Sequence, residues 1–458
     1  MRFSTIAAAA GRSITALRSS NLKDLPEMLA LSHLARRLES VDPAEAVETL
    51  ERALAGNPKS QAIAQRYVTA LMAAGDAEFV FRQLCQTAAR LGGCEPLYDP
   101  IAAGMRSCGL PADEISALLQ PVLAAEAEYS ERFRPICAQF AQLGDLATAT
   151  RLARRALGRA CAGVCVSTED FGKQTVLIRL THGGYHVTFS SGFLPWGWLF
   201  DRVFGFRSYL EKLAGSGSVG CFKLCLGDFP EGDAPQLCFS GREPRHHLVP
   251  DPMFLGSGGY ASWRHEFDAS SSSFDARRRA VYWRGSLTGL ADRYREIMQL
   301  PRIELCLLSK HAYPFVDAKL TDLSQFGPLL PTLQFMLEGL DLCGPREPES
   351  NNLFYRYLVD VDGNTNSWSG FWLKLYSGSA VFKFRSPWRQ WFYDQLGDRQ
   401  NVLLFDQLSP GLEEAFCWCE ANPFDAARIG AAGRALAESL TPESQYPVFA
   451  AAVDRVAG

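Results

Sequence analysis

The sequence predicts an all-α helical region followed by a larger α/β region. From about residue 25 to residue 160 the chain is rich in Ala and Leu, with apolar residues at helical spacing and only short breaks. Beyond residue 160, short β-branched or aromatic runs alternate with helical segments, which is typical of α/β layers with mostly parallel sheets. A chain of 458 residues with 47% hydrophobic residues is long enough for two or three such domains.

The helical region carries an internal repeat. Its turn glycines Gly75, Gly109 and Gly144 follow one another at intervals of 34 and 35 residues, a period typical of stacked helical hairpins. Ala46 and Ala53 occupy offsets at which two helix backbones approach closely. The pattern resembles the tetratricopeptide repeat over residues 25–160, although the middle units depart from it, and an ordinary helical bundle is the alternative. Because such arrays present a concave face, we expect this region to bind or position a peptide or another partner.

The α/β region contains eight runs that we predict to be strands. We predict helical segments such as LADRYREIMQL, which lies between two of these runs, and GLEEAFCWCEAN, which follows the last one. The predicted strands are QTVLIRL, HVTFSSG, GCFKLCLGD, RAVYWRGS, RIELCLL, LFYRYLVDVDG, GSAVFKF and NVLLF.

Charge and hydropathy argue against a nucleic-acid partner and against a transmembrane segment. The formal net charge is -4, from 46 basic and 50 acidic side chains. This balance gives no field that would hold a nucleic-acid backbone, so we expect no nucleic-acid partner. No run of about 18 apolar residues occurs, so we also expect no transmembrane segment.

The cysteines and the first residues bear on the compartment. The 13 cysteines are an odd number without a CxxC pair, which is typical of free thiols in a reducing compartment. We therefore expect a cytoplasmic protein, either free or peripheral to the inner membrane. Residues 1–24 are interpreted as a tail, but Arg2, Arg12 and Arg18 precede the first acid, Asp24, as in organellar transit peptides, so organellar targeting stays open.

Ligands of open parallel sheets bind beyond the carboxyl ends of the strands. The first such segment is GCFKLCLGDFP, in which Asp228 follows an apolar run. From the residues alone, Asp228 is either a functional carboxylate or a turn residue that caps its own loop.

The second segment is AVYWRGSLTG, with Arg284, Gly285 and Ser286 at its end. It leads into a predicted helix that contains Arg293 and Arg295. Glycine permits close backbone approach, and a helix N-terminus with arginines suits a phosphate group.

The third segment is YRYLVDVDGNTNSWSG, whose small polar residues could surround a nucleotide. The candidate residues of this loop are Asn364, Thr365, Asn366, Ser367, Trp368 and Ser369.

Taken in chain order, five segments resemble glycosyltransferase family 90, which includes fungal capsule-associated proteins, animal protein O-glucosyltransferases and bacterial lipopolysaccharide glycosyltransferases. The resemblance covers roughly residues 220–440. The five segments are YWRGSLTG, YRYLVDVDGNTNSWSG, LYSGSAVFKF, PWRQWFYDQL and DQLSPGLEEAFCWCEANP.

The resemblance implies a GT-B-like fold, with two Rossmann-like domains that face each other across a cleft. Residues 161–275 would form the acceptor side, and residues 276–458 would bind the UDP-sugar and end in helices. It also implies transfer of a sugar, with glucose or xylose favoured, from a UDP-sugar to a hydroxyl of a protein or glycan, with inversion and without a metal or other cofactor.

The resemblance assigns roles to the candidate residues. Asp228 would be the general base that accepts the proton of the acceptor hydroxyl. His247 and Asp251 would line the acceptor and sugar side. The residues expected to contact UDP are Arg284, Gly285, Ser286, Arg293 and the loop Asn364 to Ser369. The chain departs from the pattern of the animal members of that family at Ser369, where they have Arg, and the nearest cation is Lys374.

Two pairs of residues resemble metal sites. Asp360 and Asp362 form a DxD, which we interpret as a strand-end turn rather than a Mn²⁺ or Mg²⁺ site. His182 and His186 are spaced by four, but the glycines between them would break the helix that a zinc site needs.

A different hypothesis is a scaffold, in which the repeats bind a partner and the transferase-like region does not catalyse.

Overall fold

The protein is described by a computed structural model that covers residues 43–92, 94–125, 136, 139–140, 146–191, 197–270 and 272–457. It is a mixed α/β protein with a helical N-terminal region. The chain divides into two compact units, Met1–Val164 with Leu194–Asp201, and Cys165–Phe193 with Arg202–Gly458. The predicted tail, residues 1–24, and the repeat glycine Gly144 lie outside the described residues.

The first unit is formed mainly by helices, as the apolar spacing predicts. Ser60 and Asp76 cap the second and third helices by accepting backbone N–H bonds from Ile63 and Phe79. The first helix packs against the second, and the third packs against the fourth and fifth. The assignment to tetratricopeptide repeats stays a prediction. The helices are α1 Pro43–Gly56, α2 Gln61–Ala74, α3 Ala77–Arg90, α4 Tyr98–Ser107, α5 Ala112–Ala125 and α6 Leu146–Ala156.

A six-stranded mixed sheet follows, in the order β1-β3-β2-β4-β5-β6. Its strands are β1 Cys161–Val166, β2 Thr175–Thr181, β3 Gly184–Phe189, β4 Gly220–Cys225, β5 Gln236–Cys238 and β6 His246–Leu248. Strands β4, β5 and β6 run parallel, whereas β2 is antiparallel to both β3 and β4.

The expectation of mostly parallel pairing is therefore wrong for β2, which is antiparallel to both of its neighbours. His182 and Gly183 form the short turn of a β2–β3 hairpin, in which Thr181 pairs with Gly184. Gly183 has φ +77°, a left-handed conformation that glycine adopts without strain. The same turn places His182 in a loop and His186 in a strand, so the two imidazoles do not share a helix.

The second sheet is wholly parallel, as predicted, with the order β11-β10-β9-β7-β8. Its strands are β7 Arg278–Ser286, β8 Val316–Asp322, β9 Tyr355–Asp360, β10 Ala380–Phe384 and β11 Leu403–Phe405. Val281, Tyr357, Val359 and Phe382 from its central strands are buried in one hydrophobic core.

Helices cover the second unit. Helix α7, Gly197–Gly205, has residues in both units, as does strand β1. The helices that follow are α8 Arg207–Gly215, α9 Pro252–Gly256, α10 Ala261–Ala269, α11 Tyr294–Ile297, α12 Pro301–His311, α13 Leu330–Gly339, α14 Ser369–Tyr376, α15 Gly411–Ala421, α16 Pro423–Ser439 and α17 Pro442–Val456. The C-terminal helix α17 packs against β4, β5 and β6, so the chain returns to the mixed sheet after completing the parallel one.

Two local predictions in this unit are wrong. The run RIELCLL is not a strand but part of α12, since Arg302, Ile303, Leu305 and Cys306 are buried at helical spacing. The helix expected to contain Arg293 is reduced to Tyr294–Ile297, and Arg293 precedes it with an extended backbone.

None of the helices within the described residues is both long and apolar enough to cross a membrane.

Candidate functional site

Asp228 and the loop after β9 lie where the carboxyl ends of strands from the two sheets meet. The loop after β5 contacts the loop after β9, because Asn366 Nδ2 donates to Ser240 Oγ at 3.0 Å. The rings of Phe239 and Trp368 lie edge to face, with centroids 4.6 Å apart. These contacts bring both sets of strand ends to one place, where ligands of parallel sheets bind.

Asp228 lies in this region with a partly accessible carboxylate. It follows β4, and its side chain is 30% exposed. Its Oδ2 accepts a hydrogen bond from Asn364 Nδ2 at 3.3 Å, and its Oδ1 lies 3.7 Å from Arg202 Nη1. A carboxylate that is reachable from solvent and held on two sides has the geometry of a general base.

Arg202 was not predicted from the sequence. Arg202 lies on α7 at the point where the chain returns to the second unit, and its side chain is 19% exposed. Its Nη1 donates to the carbonyl of Leu226 at 2.5 Å, and its guanidinium lies 4.5 Å from the ring centroid of Trp368. Burial lowers the pKa of Arg202 to about 10, so it remains a cation at neutral pH.

The loop after β9 is fixed by its own polar side chains. Gln390 Nε2 donates to Asn366 Oδ1 at 2.8 Å, and Trp368 Nε1 donates to Thr365 Oγ1 at 3.3 Å. Ser367 Oγ donates to Asp360 Oδ1 at 2.5 Å. Trp368 has φ +47°, which is strained for a residue with a Cβ. The loop therefore holds a defined and partly strained shape beside Asp228.

A buried arginine joins this loop to the end of β7. Arg302 Nη1 donates to Ser286 O at 2.7 Å and to Thr288 Oγ1 at 2.8 Å. Its Nε and Nη2 donate to the carbonyl of Val361, at 3.3 and 3.2 Å. Burial lowers the pKa of Arg302, and its hydrogen bonds to carbonyls compensate for lost water.

A cavity of about 150 Å³ lies at the end of β7, and two of the residues expected to contact UDP, Gly285 and Ser286, line it. Arg284 also lines it, but its guanidinium is bound to carboxylates, 2.8 Å from Asp317 and 3.1 Å from Glu347. A phosphate would compete with both acids for Arg284. The cavity's other cations are Arg346 and Lys374.

The DxD carboxylates are bound to lysines. Lys374 Nζ lies 2.9 Å from Asp360 Oδ1, and Lys383 Nζ lies 2.7 Å from Asp360 Oδ2 and 2.5 Å from Asp362 Oδ1. Ser386 donates to the other oxygen of Asp362. A divalent cation at this pair would have to displace Lys383.

The pKa values follow from these contacts. Burial alone would raise the pKa of Asp360, but the ammonium groups of Lys374 and Lys383 outweigh it and hold that pKa well below its usual range. Burial raises the pKa of Asp362. Across the described ranges, no group of three or more His, Cys, Asp or Glu is placed to hold a metal ion.

The remaining candidates lie apart from Asp228 or are engaged elsewhere. Asp251 is buried at the start of α9, where it accepts from Phe254 N at 2.8 Å and from Tyr260 Oη at 2.7 Å. Burial raises the pKa of Asp251. The hydroxyl of Tyr260 also hydrogen-bonds Ser369, so Asp251 and Ser369 share one partner.

His247 and Arg293 make none of the contacts described around Asp228. His247 is half-buried on β6, where burial and nearby Arg455 lower its pKa. Arg293 is exposed and does not line the cavity at the end of β7.

No protein-family model matches the chain, and no curated protein matches it.

Proposed function

We propose that the chain is a metal-independent, inverting glycosyltransferase that transfers a sugar from a UDP-sugar to a hydroxyl of a protein or glycan. The observation that carries this proposal is the contact between Asp228, after β4 of one sheet, and Asn364, after β9 of the other. It places a carboxylate beside the loop that resembles the nucleotide-binding segment of glycosyltransferase family 90. In this proposal residues 161–275 and 276–458 are the two halves of a GT-B-like fold.

The chemistry follows from where the charges lie. Asp228 would accept the proton of the acceptor hydroxyl while that oxygen attacks the anomeric carbon. The bond from the anomeric carbon to UDP breaks, its electron pair leaves with the diphosphate, and attack from the opposite face inverts the configuration.

The leaving diphosphate gains negative charge as the sugar departs. The cavity at the end of β7 is lined by Ser286 and by the cation Arg346, whereas Lys374, which also lines it, is paired with Asp360. Fixed cations stabilise such developing charge most in the transition state. The lysines at Asp360 and Asp362 pair with the two carboxylates that would bind a metal in another glycosyltransferase fold.

The direct test is donor use in the presence of EDTA. Tritiated UDP-glucose, UDP-xylose, UDP-galactose and UDP-GlcNAc would each be incubated with the protein and a cell lysate as acceptor. We expect transfer or hydrolysis of UDP-glucose or UDP-xylose, and no loss of rate with EDTA. Ser286→Ala should weaken UDP binding, whereas Ser216→Ala, which removes a hydroxyl bonded to Leu213 O on α8, should not.

If none of the four donors is consumed, the enzymatic proposal is wrong for these donors. A scaffold with a transferase-like region would consume none of the donors in this assay, even if it bound UDP. The helical region, residues 25–160, would then hold a partner instead of an acceptor.

A further inference from the structure

The carboxylate of Asp228 is contacted through both of its oxygens by residues from two different segments. Asn364 Nδ2 donates to Oδ2 at 3.3 Å, across 136 positions of chain. On the other side, Arg202 Nη1 lies 3.7 Å from Oδ1. Rotation of the carboxylate about its Cβ–Cγ bond would break both contacts.

The amide of Asn364 is not explained by packing. Its Oδ1 is buried and has no hydrogen-bond partner within the part of the chain that the structure describes. A buried polar atom without a partner reduces stability. The orientation of the amide is instead set by Asp228, because a carboxylate accepts from the NH₂ group and repels the carbonyl oxygen.

Arg202 is held so that its charge stays beside Asp228. The carbonyl of Leu226, two residues before the carboxylate, accepts from Arg202 Nη1 at 2.5 Å. The ring of Trp368 lies 4.5 Å from the guanidinium carbon on the side of the loop after β9. A backbone acceptor and an aromatic face together restrict the guanidinium more than a surface ion pair would.

We propose that Asn364 and Arg202 are positioning residues for Asp228, which hold its carboxylate in the orientation needed to accept the proton of the acceptor hydroxyl. The inference rests on the proposed function. It also changes the expected role of Asn364, which acts on the base rather than on the uridine or phosphates. Displacement of a reacting group by about 1 Å costs roughly a hundredfold in rate, so loss of either contact should act on turnover.

The kinetic test compares the wild type with Asn364→Ala, Arg202→Met and Arg202→Lys, using the UDP-sugar that the wild type consumes. We expect kcat to fall about tenfold to a hundredfold in the first two variants, while the Kd for UDP, measured by calorimetry, changes less than about twofold. Arg202→Lys should recover part of the rate because it keeps the charge.

Matched controls separate positioning from general destabilisation. Asn401→Ala removes an amide bonded to Gln395 O, and Arg428→Met removes an exposed ion pair with Asp425. Neither should change kcat. If Asn364→Ala weakens UDP binding and leaves kcat unchanged, the inference is wrong and the proposed function stands.

A second readout needs no turnover. Carbodiimide coupling of glycine ethyl ester to Asp228, followed by peptide mass spectrometry, reports how freely the carboxylate is reached and rotates. Asn364→Ala should raise the coupling rate at Asp228 severalfold, and Asn401→Ala should not. Unchanged coupling overturns the inference. Raised coupling in a protein that consumes no UDP-sugar means that the proposed function fails while the placement of Asp228 by Asn364 holds.

Discussion

Lys383 and Asp360 form an almost completely buried ion pair, with Nζ 2.7 Å from Oδ2 and side-chain exposures of 4% and 0%. The pair connects β10 to the end of β9, directly before the loop that carries Asn364 and Trp368. Removal of one partner from a buried ion pair destabilises a fold strongly, because the other charge is left buried and uncompensated. The pair therefore fixes the position of that loop at the base of the candidate site.

Replacement of Lys383 tests how strongly the fold depends on this ion pair. Lys383→Met leaves Asp360 buried with only Lys374 as its cation, so we expect a loss of about 3–5 kcal/mol in the free energy of unfolding. Urea unfolding followed by circular dichroism measures it. Lys310→Met, which breaks an exposed pair with Asp341, should leave the unfolding midpoint nearly unchanged. Equal effects of the two substitutions would contradict the assigned role of burial.

The same pair predicts how stability depends on pH. The lysines hold the pKa of Asp360 below the value of about 3.9 that Asp has in an unfolded chain. The stabilisation by Asp360 is therefore fully present above that unfolded value and is lost as the pH falls towards the folded pKa.

The comparison that isolates this effect is wild type against Asp360→Asn. The wild type should exceed the variant in free energy of unfolding near neutral pH, and the difference should shrink below about pH 4. Urea unfolding at a series of pH values measures it. A difference that grows as the pH falls would show that the lysines do not stabilise the charged form.

Replacement of Gly363 tests how closely the segments after β7 and β9 pack against each other. A Cβ at this position would lie 2.0 Å from Thr288 Oγ1 and 2.9 Å from Arg302 Cζ. We expect Gly363→Ala to cost about 1–3 kcal/mol of stability and to lower UDP affinity, because the backbone must move. Gly339→Ala, which meets no atom within 4 Å, is the control. Adding Thr288→Ala should restore part of the loss; no restoration would mean that the clash lies elsewhere.

The layered architecture could be predicted because apolar periodicity is a local property. The helical N-terminal region and the parallel strands β7, β9, β10 and β11 all have that signal. RIELCLL misled the prediction because a short apolar run fits a strand or a buried helix equally well, and Pro301 decides for the helix. The antiparallel pairing of β2 depends on a turn at His182 and Gly183, which was not interpreted as a hairpin.

The candidate site could be predicted only in part. Asp228, Ser286 and the loop after β9 could be selected as candidates because each follows a recognisable strand run, and their roles stay predictions. Arg202 and Arg302 were missed because their partners are backbone carbonyls and side chains distant in the sequence. Lys383 did leave a signal, since a lone lysine inside the apolar run GSAVFKF needs a buried acid as its partner. Arg284 was predicted as a phosphate ligand because sequence does not show that Asp317 and Glu347 reach it.

A comparison of Asp228→Asn with Asp233→Asn tests whether Asp228 is the base of a sugar transfer. Asp228→Asn should lower kcat for transfer from the consumed UDP-sugar by about 10²–10⁴-fold while the Kd for UDP stays the same. Asp233→Asn, which changes a 97% exposed carboxylate in the same loop, should retain full activity. An Asp228→Asn protein that transfers sugar at the wild-type rate would contradict the account.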